Sequence, residues 1–318
     1  MRFVYLMDAM DRVLPDKDTT YAFQRAAQAR GHEALHCELR DLFVKDGEVH
    51  AHVRGLVVEA APPYFRMGTP SQVRLADVEA VFIRKDPPFD DAYLYATLML
   101  ERARGRTVII NDPRGLRDAN EKLYTLHFAR HMPRTLVTAR ASGVTAFLDE
   151  VGGRAVVKPL DGAGGAGVLL LTRGDKNTKS ILELLTSEGR KLVMAQEFLP
   201  AVTAGDKRVL LLDGEVLGAI NRVPQGDDIR SNIHVGGRVE PCEVTEAERA
   251  IVADIAPRLR ADGLVFVGLD LIGGRLTEVN VTSPTGIQEL SRHRGEDVAT
   301  RVIEWAERKA LELHPSLP

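Results

Sequence analysis

VVKPLDGAGGAGVLL, residues 156–170, is a glycine-rich run between two apolar segments. It has a G-x-G-x-x-G spacing from Gly162 to Gly167, and Lys158 lies four residues before the first of these glycines. A Walker loop places its lysine after the glycines and before a helix, and a dinucleotide-binding fingerprint also leads into a helix. Here the apolar run VLLLT follows, which is typical of a strand. The stretch therefore predicts two strands joined by a glycine-rich flap.

Such a flap has backbone N–H groups that can close over phosphate oxygens, as the glycine loop of protein kinases does. Lys158, on the strand that leads into the flap, adds a cation to this phosphate site. A surface loop without any ligand fits the same residues, because a lone G-x-G-x-x-G is a weak signal. The sequence elsewhere has to decide between these two interpretations.

A second informative stretch is VGLDLIGGRLTEVNVTSP, residues 267–284, which predicts an apolar hairpin. Asp270, Glu278 and Asn280 interrupt it with oxygen-bearing side chains, which are the ligands that magnesium prefers. A two-residue loop would put Asp270 and Glu278 on opposite faces, whereas a three-residue loop at 273–275 sets them across from each other. We expect the three-residue loop and a metal site. Carboxylates on a solvated strand face are the alternative.

Composition narrows the class of partner. The 318 residues carry a formal net charge of −3, and only 5% of them are aromatic, so the basic patches and stacking platforms of a nucleic-acid binder are not expected. No run of about eighteen apolar residues and no apolar secretion signal occur, which predicts no membrane partner. Cys37 and Cys242 stand alone, as is usual for a reducing compartment. We expect a cytoplasmic protein that acts on small molecules.

The order of elements predicts three domains in a mixed α/β and α+β chain. Residues 1–120 alternate strands and helices, beginning with a strand, a helix and a strand, as in an α/β domain. Residues 121–200 form a small α+β unit around the glycine run, and residues 201–318 contain two hairpins and a helix. Asp-Gly turns are expected at 46–47 and 213–214. A continuous helix is expected at 116–132.

Several stretches together resemble the ATP-grasp superfamily. They are NEKLYT (120–125), the glycine run, MAQEFLP (194–200) and the magnesium hairpin, and FIRKDPPFDDAYLYATLMLERA (82–103) narrows the resemblance to the bacterial glutathione synthetase family. The resemblance spans nearly the whole chain. It implies an N-terminal α/β domain, known as a pre-ATP-grasp domain, followed by a two-part ATP-grasp fold with a flexible glycine-rich flap. It also implies a ligase that joins γ-glutamylcysteine to glycine with ATP and magnesium.

The resemblance implies a nucleotide site made from three parts of the chain. Lys122 and Lys158 would contact the phosphates, and Asp206 would face the ribose. The residues of the flap and those that line the adenine would be Gly162, Gly164, Gly165, Gly167, Gln196, Glu197, Phe198 and Leu199.

The resemblance further implies catalytic roles for Arg208, near the transferring phosphate, and Arg222, near the acyl phosphate. Peptide carboxylates and acyl-phosphate oxygens would be bound by a mainly cationic set, because guanidinium groups suit planar carboxylates. This set is Arg84, Arg222, Arg230 and Asn232. Mg²⁺, or Mn²⁺ in its place, would be held by Asp270, Glu278 and Asn280.

Other functions remain open at this point. A related ATP-grasp ligase could join another carboxylate to another amine, and a nucleotide-binding regulatory module could have lost turnover. In the glutathione-forming ligase and in a related ligase alike, the protein positions the reacting groups and neutralises phosphoryl charge, so no nucleophilic side chain is expected. The resemblance also implies a homo-oligomer, in the form of a tetramer.

Overall fold

The computed structural model describes residues 1–225 and 238–315. Within them, the N-terminal part forms a seven-stranded sheet. Six of its strands pair in the order β3-β4-β2-β1-β6-β7, and the seventh, β5, pairs with β4 outside this order. β1 lies parallel to β2 and β6, while β4 runs antiparallel to its neighbours. The strands are β1 (Arg2–Leu6), β2 (Glu33–Cys37), β3 (Leu42–Lys45), β4 (Glu48–Val58), β5 (Phe65–Arg74), β6 (Ala80–Ile83) and β7 (Val108–Ile110).

Three helices accompany this sheet, namely α1 (Thr19–Ala29), α2 (Asp91–Leu100) and α3 (Pro113–Asp118). The side chain of Asp18 caps α1 by accepting a hydrogen bond from the backbone N–H of Tyr21 at 2.7 Å. The predicted opening of strand, helix and strand is therefore confirmed in β1, α1 and β2.

A small antiparallel sheet follows, in the order β10-β9-β11-β8. Its strands are β8 (Thr135–Thr138), β9 (Arg154–Pro159), β10 (Leu169–Thr172) and β11 (Val193–Glu197), and α4 (Ala141–Glu150) and α5 (Thr178–Leu185) accompany them. Residues such as Val144, Leu171 and Leu182 form a hydrophobic core that belongs to this unit. The glycine run connects β9 and β10, as the pattern of two strands predicted.

The third sheet has the order β14-β13-β12-β15-β16 and is antiparallel. Its strands are β12 (Asp206–Leu212), β13 (Glu215–Val223), β14 (Arg238–Pro241), β15 (Phe266–Ile272) and β16 (Arg275–Asn280), with α6 (Glu246–Ala261) on one face. Thr245 and Glu248 form the capping box of α6, because each side chain accepts from the backbone N–H of the other.

Two C-terminal helices, α7 (Ile287–Arg294) and α8 (Val298–Leu313), return the chain to the N-terminal sheet. α8 packs on α1, and Nε of Arg30 lies 2.6 Å from Oε1 of Glu307 in an ion pair. Apolar residues of α8 share one core with both large sheets. Within the described residues, no helix is long and apolar enough to cross a membrane.

The predicted helix at 116–132 is wrong, because it is interrupted. α3 ends at Asp118, and a separate 3-10 helix runs over Leu123–His131. The amide oxygen of Asn120 accepts hydrogen bonds from the backbone N–H groups of Lys122 and Leu123, at 3.1 and 3.0 Å. An asparagine that binds the backbone in this way starts a new helical turn, so it ends the preceding one.

Candidate functional site

The first cavity lies between the small sheet and the third sheet, and its volume is about 850 Å³ when the open space at its mouth is included. Apart from Gly167, every predicted nucleotide residue lines it, together with the two predicted metal carboxylates. These residues are Lys122, Lys158, Gly162, Gly164, Gly165, Gln196, Glu197, Phe198, Leu199, Asp206, Asp270 and Glu278.

The glycine-rich loop, residues 160–168, covers one side of this cavity and needs its glycines for conformational reasons. Gly164 and Gly165 have φ of 61° and 85°, in the left-handed region that other residues rarely adopt. A Cβ on Gly162 would lie 2.7 Å from the carbonyl oxygen of Ala166. Gly167 has φ of 73° and abuts Pro159, so it shapes the loop from outside the cavity.

Two lysines approach the cavity from different elements. Lys158 lies on β9, where burial holds its pKa below the ordinary value although the carboxylate of Glu278 opposes this shift. Lys122 follows Asn120 at the break in the predicted helix. Its Nζ lies 3.1 Å from Oε1 of Glu278 and donates to the carbonyl oxygen of Gly162 at 2.5 Å. The interruption of the helix therefore brings Lys122 to the loop and to the hairpin.

The far end of the first cavity is formed where β11 ends. The buried Gln196 donates through Nε2 to Oγ1 of Thr135 at 3.2 Å. Phe198 lies under the guanidinium of Arg154, whose Cζ is 3.8 Å from the ring centroid. This contact fixes the aromatic ring beside the adjoining Leu199, so the end of the cavity has apolar walls and a few polar groups.

The hairpin of β15 and β16 differs from the prediction in its loop. The three-residue loop is wrong, because Ile272 pairs with Arg275 and a two-residue turn of Gly273 and Gly274 joins the strands. Both glycines have positive φ, of 56° and 73°, as a tight hairpin turn requires.

A β-bulge restores the expected pairing. The register shifts after Asp270, which pairs with Glu278, so Thr277 becomes the extra residue. Glu278 and Asn280 share one face of β16, and directly opposite residues have Cβ atoms about 4.5–5.5 Å apart. Asp270, Glu278 and Asn280 therefore lie on one face by a route that the sequence did not predict.

Asp270 also belongs to a buried cluster of four charged residues. Arg208 donates from Nε and Nη2 to its two carboxylate oxygens, at 2.5 and 2.9 Å. Nη2 of Arg222 lies 3.0 Å from Oδ1 of Asp270 and 2.7 Å from Oδ2 of Asp206. We call Arg208, Asp270, Arg222 and Asp206 the charge cluster; its two cations and two anions balance.

The charge cluster controls the ionisation of its members. Burial alone would raise the pKa of Asp270, but Arg208 and Arg222 outweigh it and hold that pKa below its usual range. Burial would lower the pKa of Arg222, and Asp206 and Asp270 instead raise it above its usual value. The cluster therefore holds Asp270 and Arg222 in their charged forms, whereas burial outweighs Arg222 at Asp206 and raises the pKa of that carboxyl above its usual value.

The chemistry of the donors fits magnesium. The described residues include no group of three or more His, Cys, Asp or Glu side chains that could hold a metal ion. The predicted set instead combines two carboxylates with the amide of Asn280, whose Nδ2 donates to Gly268 O at 3.2 Å. This hydrogen bond leaves the amide oxygen for a ligand. Oxygen donors from carboxylate and amide groups suit Mg²⁺ and Mn²⁺.

The second cavity lies between the N-terminal sheet and the third sheet, encloses about 1520 Å³, and meets the first at Gly164 and Glu278. Arg208 and Arg222 line the second cavity, whereas Asp206 and Asp270 line the first. The charge cluster is thus a wall with carboxylates toward one cavity and guanidinium groups toward the other.

Arg84 reaches the second cavity from the end of β6 but is largely engaged within the protein. Its Nε donates to Oγ1 of Thr20 at 3.1 Å, and its Nη2 donates to Pro284 O at 2.9 Å. Its guanidinium lies between the rings of Phe23 and Phe266, at 5.6 and 5.5 Å. Burial lowers the pKa of Arg84. The arginine therefore joins the N-terminal domain to the segment after β16.

Several residues that line the second cavity were not predicted from the sequence. Arg12 and Lys17 lie on the loop after β1, and that position after a parallel strand was a usable signal. Glu289 lies on α7, and its Oε2 is buried without a hydrogen-bond partner among the described residues. Glu121 completes the set. Of the predicted substrate residues, Arg230 and Asn232 lie outside the described part of the chain.

Family models match almost all of the chain. Residues 1–117 match the prokaryotic glutathione synthetase N-terminal domain, and residues 121–295 match the prokaryotic glutathione synthetase ATP-grasp domain. The chain belongs to the prokaryotic glutathione synthetase family. Relatives named glutathione synthetase include one from Synechococcus elongatus, 47% identical over 95% of this chain and 97% of that protein. Another, from Salmonella typhimurium, is 45% identical over 90% of this chain and 91% of that protein.

Solved structures place this glutathione synthetase family member among ATP-grasp ligases in fold. D-cycloserine synthetase DcsG has a TM-score of 0.67 at 20% identity and covers 98% of this chain and 100% of its own. The ATP-grasp ligase PsnB, complexed with a minimal precursor, Mg and ADP, has a TM-score of 0.63 at 19% identity, covering 97% of both chains. The predicted fold, an N-terminal domain followed by an ATP-grasp body, is confirmed.

Proposed function

We propose that the chain joins γ-glutamylcysteine to glycine with ATP, forming glutathione, ADP and phosphate. The names of its full-length relatives and the matched ATP-grasp domain support this reaction. The observation that carries it within the molecule is the charge cluster between the two cavities. A phosphoryl group in the first cavity and a carboxylate in the second would meet at this wall.

ATP occupies the first cavity in this proposal. The adenine lies at the end formed by Gln196 to Leu199, which is apolar with a few polar groups, as nucleobase sites require. Lys122 and Lys158 neutralise the phosphates, and Asp206 faces the ribose. The glycine-rich loop closes over the phosphates as a flexible flap and so excludes water that would hydrolyse a reactive intermediate.

Asp270, Glu278 and Asn280 would hold Mg²⁺, or Mn²⁺ in its place, near the phosphates of ATP. A bound divalent cation would neutralise charge on the phosphoryl oxygens. Lys122 is already paired with Glu278 at 3.1 Å, so cation and carboxylate are close before any ligand binds. This arrangement lets the hairpin and the lysine contact one triphosphate from two sides.

The second cavity holds the two substrates. γ-Glutamylcysteine has two carboxylates and an ammonium group. The cationic side chains that line the cavity and suit the carboxylates are Arg12, Lys17 and Arg84. Glu289 also lines this cavity, and its carboxylate suits the ammonium group. Arg230 and Asn232 remain predicted contacts of the same substrate.

The reaction then proceeds through two nucleophilic displacement steps. A carboxylate oxygen of γ-glutamylcysteine attacks the γ-phosphorus, the bond to the β-phosphate oxygen breaks, and ADP leaves. The glycine amine attacks the acyl carbon, phosphate departs with the original carboxylate oxygen, and the amine loses a proton. Arg208 neutralises the transferring group, and Arg222 stabilises the acyl phosphate, so the protein acts by position and charge.

Purified protein with ATP, Mg²⁺ and pairs of acceptors and donors tests the proposal. We expect phosphate and glutathione together only with γ-glutamylcysteine and glycine. α-Glutamylcysteine is the matched control, since it differs only in which carboxylate is linked. Equal turnover with a different pair would favour another ATP-grasp ligase, and ATP binding without ADP release under every pair would favour a regulatory module.

Three further expectations accompany this function. We keep the domain boundaries at 120 and 200 and the homo-oligomer, a tetramer, as proposals, together with a cytoplasmic location. Light scattering of the purified protein would measure the oligomeric state.

A further inference from the structure

Residues 120–122, at the interruption of the predicted helix, connect parts of the site that are distant in sequence. Nδ2 of Asn120 donates to the carbonyl oxygen of Leu160 at 3.0 Å, at the start of the glycine-rich loop. Lys122 donates to the carbonyl oxygen of Gly162 in the same loop. Both flanking residues therefore hold the loop, and Glu121 between them points elsewhere.

Glu121 binds the strand that carries the proposed metal ligands. Its backbone oxygen accepts from the N–H of Val279 at 3.0 Å. Its Oε1 accepts from the N–H groups of Val281 and Thr282, at 2.9 and 3.0 Å, and from Oγ1 of Thr282 at 2.8 Å. Four hydrogen bonds thus join Glu121 to three residues, Val279, Val281 and Thr282.

The position of these bonds follows from the sheet. β16 is the last strand in the order of the third sheet, so one edge pairs with β15, and the described residues place no strand along its other edge. Glu121 accepts from that free edge with a main-chain oxygen and a carboxylate oxygen. An edge strand whose N–H groups are satisfied in this way is fixed in place.

Apart from the hydroxyl of Thr282, the groups that Glu121 binds in this segment are backbone N–H groups. Glu278 and Asn280 of β16 alternate with Val279 and with Val281, the residue after the strand, so their side chains lie on the cavity face while Glu121 binds the backbone between them. Lys122, the next residue, contacts Glu278 directly. Any shift of Glu121 therefore moves Lys122 and the ligand strand relative to each other.

We propose that Glu121 is a positioning residue, which sets the distance between Lys122 and the oxygen ligands Glu278 and Asn280. This role rests on the proposed function, because it assigns that lysine to phosphate and those ligands to magnesium. Glu121 acts through its hydrogen bonds and not through its charge. Outer-shell partners of this kind typically change metal affinity or activity by about 10–100-fold when removed.

The test compares Glu121→Ala with Glu121→Gln in the full chain. Glutamine keeps a carbonyl oxygen that can accept hydrogen bonds at the position of Oε1, whereas alanine removes the acceptor. Binding of a non-hydrolysable ATP analogue is measured by calorimetry across a series of Mg²⁺ concentrations. Glu121→Ala should raise the Mg²⁺ concentration for half-maximal binding by about 10–100-fold, with a similar fall in turnover. Glu121→Gln should stay close to the parent protein.

Two results would overturn the proposal. If glutamine is as defective as alanine, the charge matters and not the hydrogen bonds; if alanine behaves like the parent, the contacts do no positioning. Should Glu121→Ala fail to fold, Thr282→Val removes one of the hydrogen bonds with little change of shape and should shift the Mg²⁺ requirement in the same direction. An unchanged requirement in Thr282→Val would also overturn it.

Thr245→Ala is the structural control, since it removes the cap of α6 at a residue that lines neither cavity. It should lower thermal stability and leave the Mg²⁺ requirement unchanged. The binding measurement needs neither γ-glutamylcysteine nor glycine. If the parent protein binds the analogue but forms no glutathione, the proposed function is refuted. The Mg²⁺ requirement of the Glu121 variants can still be measured in that case.

Discussion

The small sheet and the two large sheets are stabilised in different ways. Among residues 1–225 and 238–315, the core of the small sheet contains only residues of its own unit, such as Val144, Leu171 and Leu182. The large sheets share their cores: Val81 and Leu269 belong to one cluster, although they lie on different sheets. The small sheet is therefore a unit that can open or move with little loss of packing elsewhere.

The residues of the site are divided between these two parts of the molecule. Lys158, the glycine-rich loop and Gln196 lie on the separately packed unit, and the charge cluster and the hairpin lie in the larger body. Residues 120–122 join the two through Leu160, Gly162 and the strand β16. The separately packed unit and the larger body thus meet at these three residues.

Removing one anion from the charge cluster should have the largest effect. Asp270→Asn leaves Arg208 and Arg222 with an uncompensated buried charge, which typically costs about 3–5 kcal/mol of unfolding free energy. Turnover should fall by about 10²–10³-fold, as expected for loss of an electrostatic contact. Urea unfolding and phosphate release measure the two effects. Glu183→Gln, in the exposed pair with Lys179, should change neither.

Core substitutions should separate the two regions directly. Leu269→Ala and Leu182→Ala each remove a buried leucine side chain and should cost about 2–5 kcal/mol. Hydrogen exchange should report opening throughout the large body for the first variant. For Leu182→Ala the faster exchange should be confined to the small sheet. Equal acceleration in β12 and β15 would mean that the small sheet is not an independent unit.

Stiffening the glycine-rich loop should weaken nucleotide binding by a smaller amount. Gly164 has φ of 61°, so valine there introduces backbone strain of about 1–3 kcal/mol in the closed loop. Gly164→Val should raise the Kd of an ATP analogue by about tenfold, since 1.4 kcal/mol is tenfold. Gly174→Val is the matched control, because that glycine also has positive φ, of 84°, but lies outside the cavities. Equal affinities in the two variants would contradict the closing role.

The pH dependence of nucleotide affinity should show the smallest effect. Protonated Lys158 attracts phosphate, and the neutral amine above its pKa does not. Because burial lowers that pKa, affinity should fall as pH rises, at a pH below the ordinary lysine value of 10.5. Titrations between about pH 7 and 9.5 should detect a loss of several-fold. Lys158→Arg keeps its charge throughout this window, so its affinity should stay flat.

Local patterns in the sequence predicted the local features of the fold. The Asp-Gly dipeptides at 46–47 and 213–214 form the expected turns between β3 and β4 and between β12 and β13. The glycine run lies between two strands because no helix-forming segment follows it. These features depend on neighbouring residues alone, which is why they could be predicted.

Features that depend on tertiary contacts were not predicted. β5 is a mostly exposed edge strand with Gly68 and Pro70 inside it, so it lacks an alternating apolar pattern. The apolar positions of α8 recur at helical spacing, but its packing on α1 has no local signal. The bulge at Thr277 was missed because a hairpin register was assumed to be regular.

The same limit applies to the site. Asp270, Glu278 and Asn280 could be selected because polar groups in an apolar hairpin are unusual. The pairing of Arg208 with Asp270 joins residues 62 positions apart, and no local rule connects them. Glu121 lies in the NEKLYT stretch, but its hydrogen bonds to residues 281 and 282 depend on the fold.

Isotope transfer tests the central claim most directly, namely that phosphoryl transfer to a carboxylate occurs at the wall between the two cavities. γ-Glutamylcysteine labelled with ¹⁸O in its cysteinyl carboxylate is incubated with ATP, Mg²⁺ and glycine, and the released phosphate is analysed by mass spectrometry. An acyl phosphate requires that each released phosphate carry one oxygen from the labelled carboxylate. Unlabelled phosphate accompanying glutathione, or phosphate release that does not depend on the dipeptide, would contradict the account.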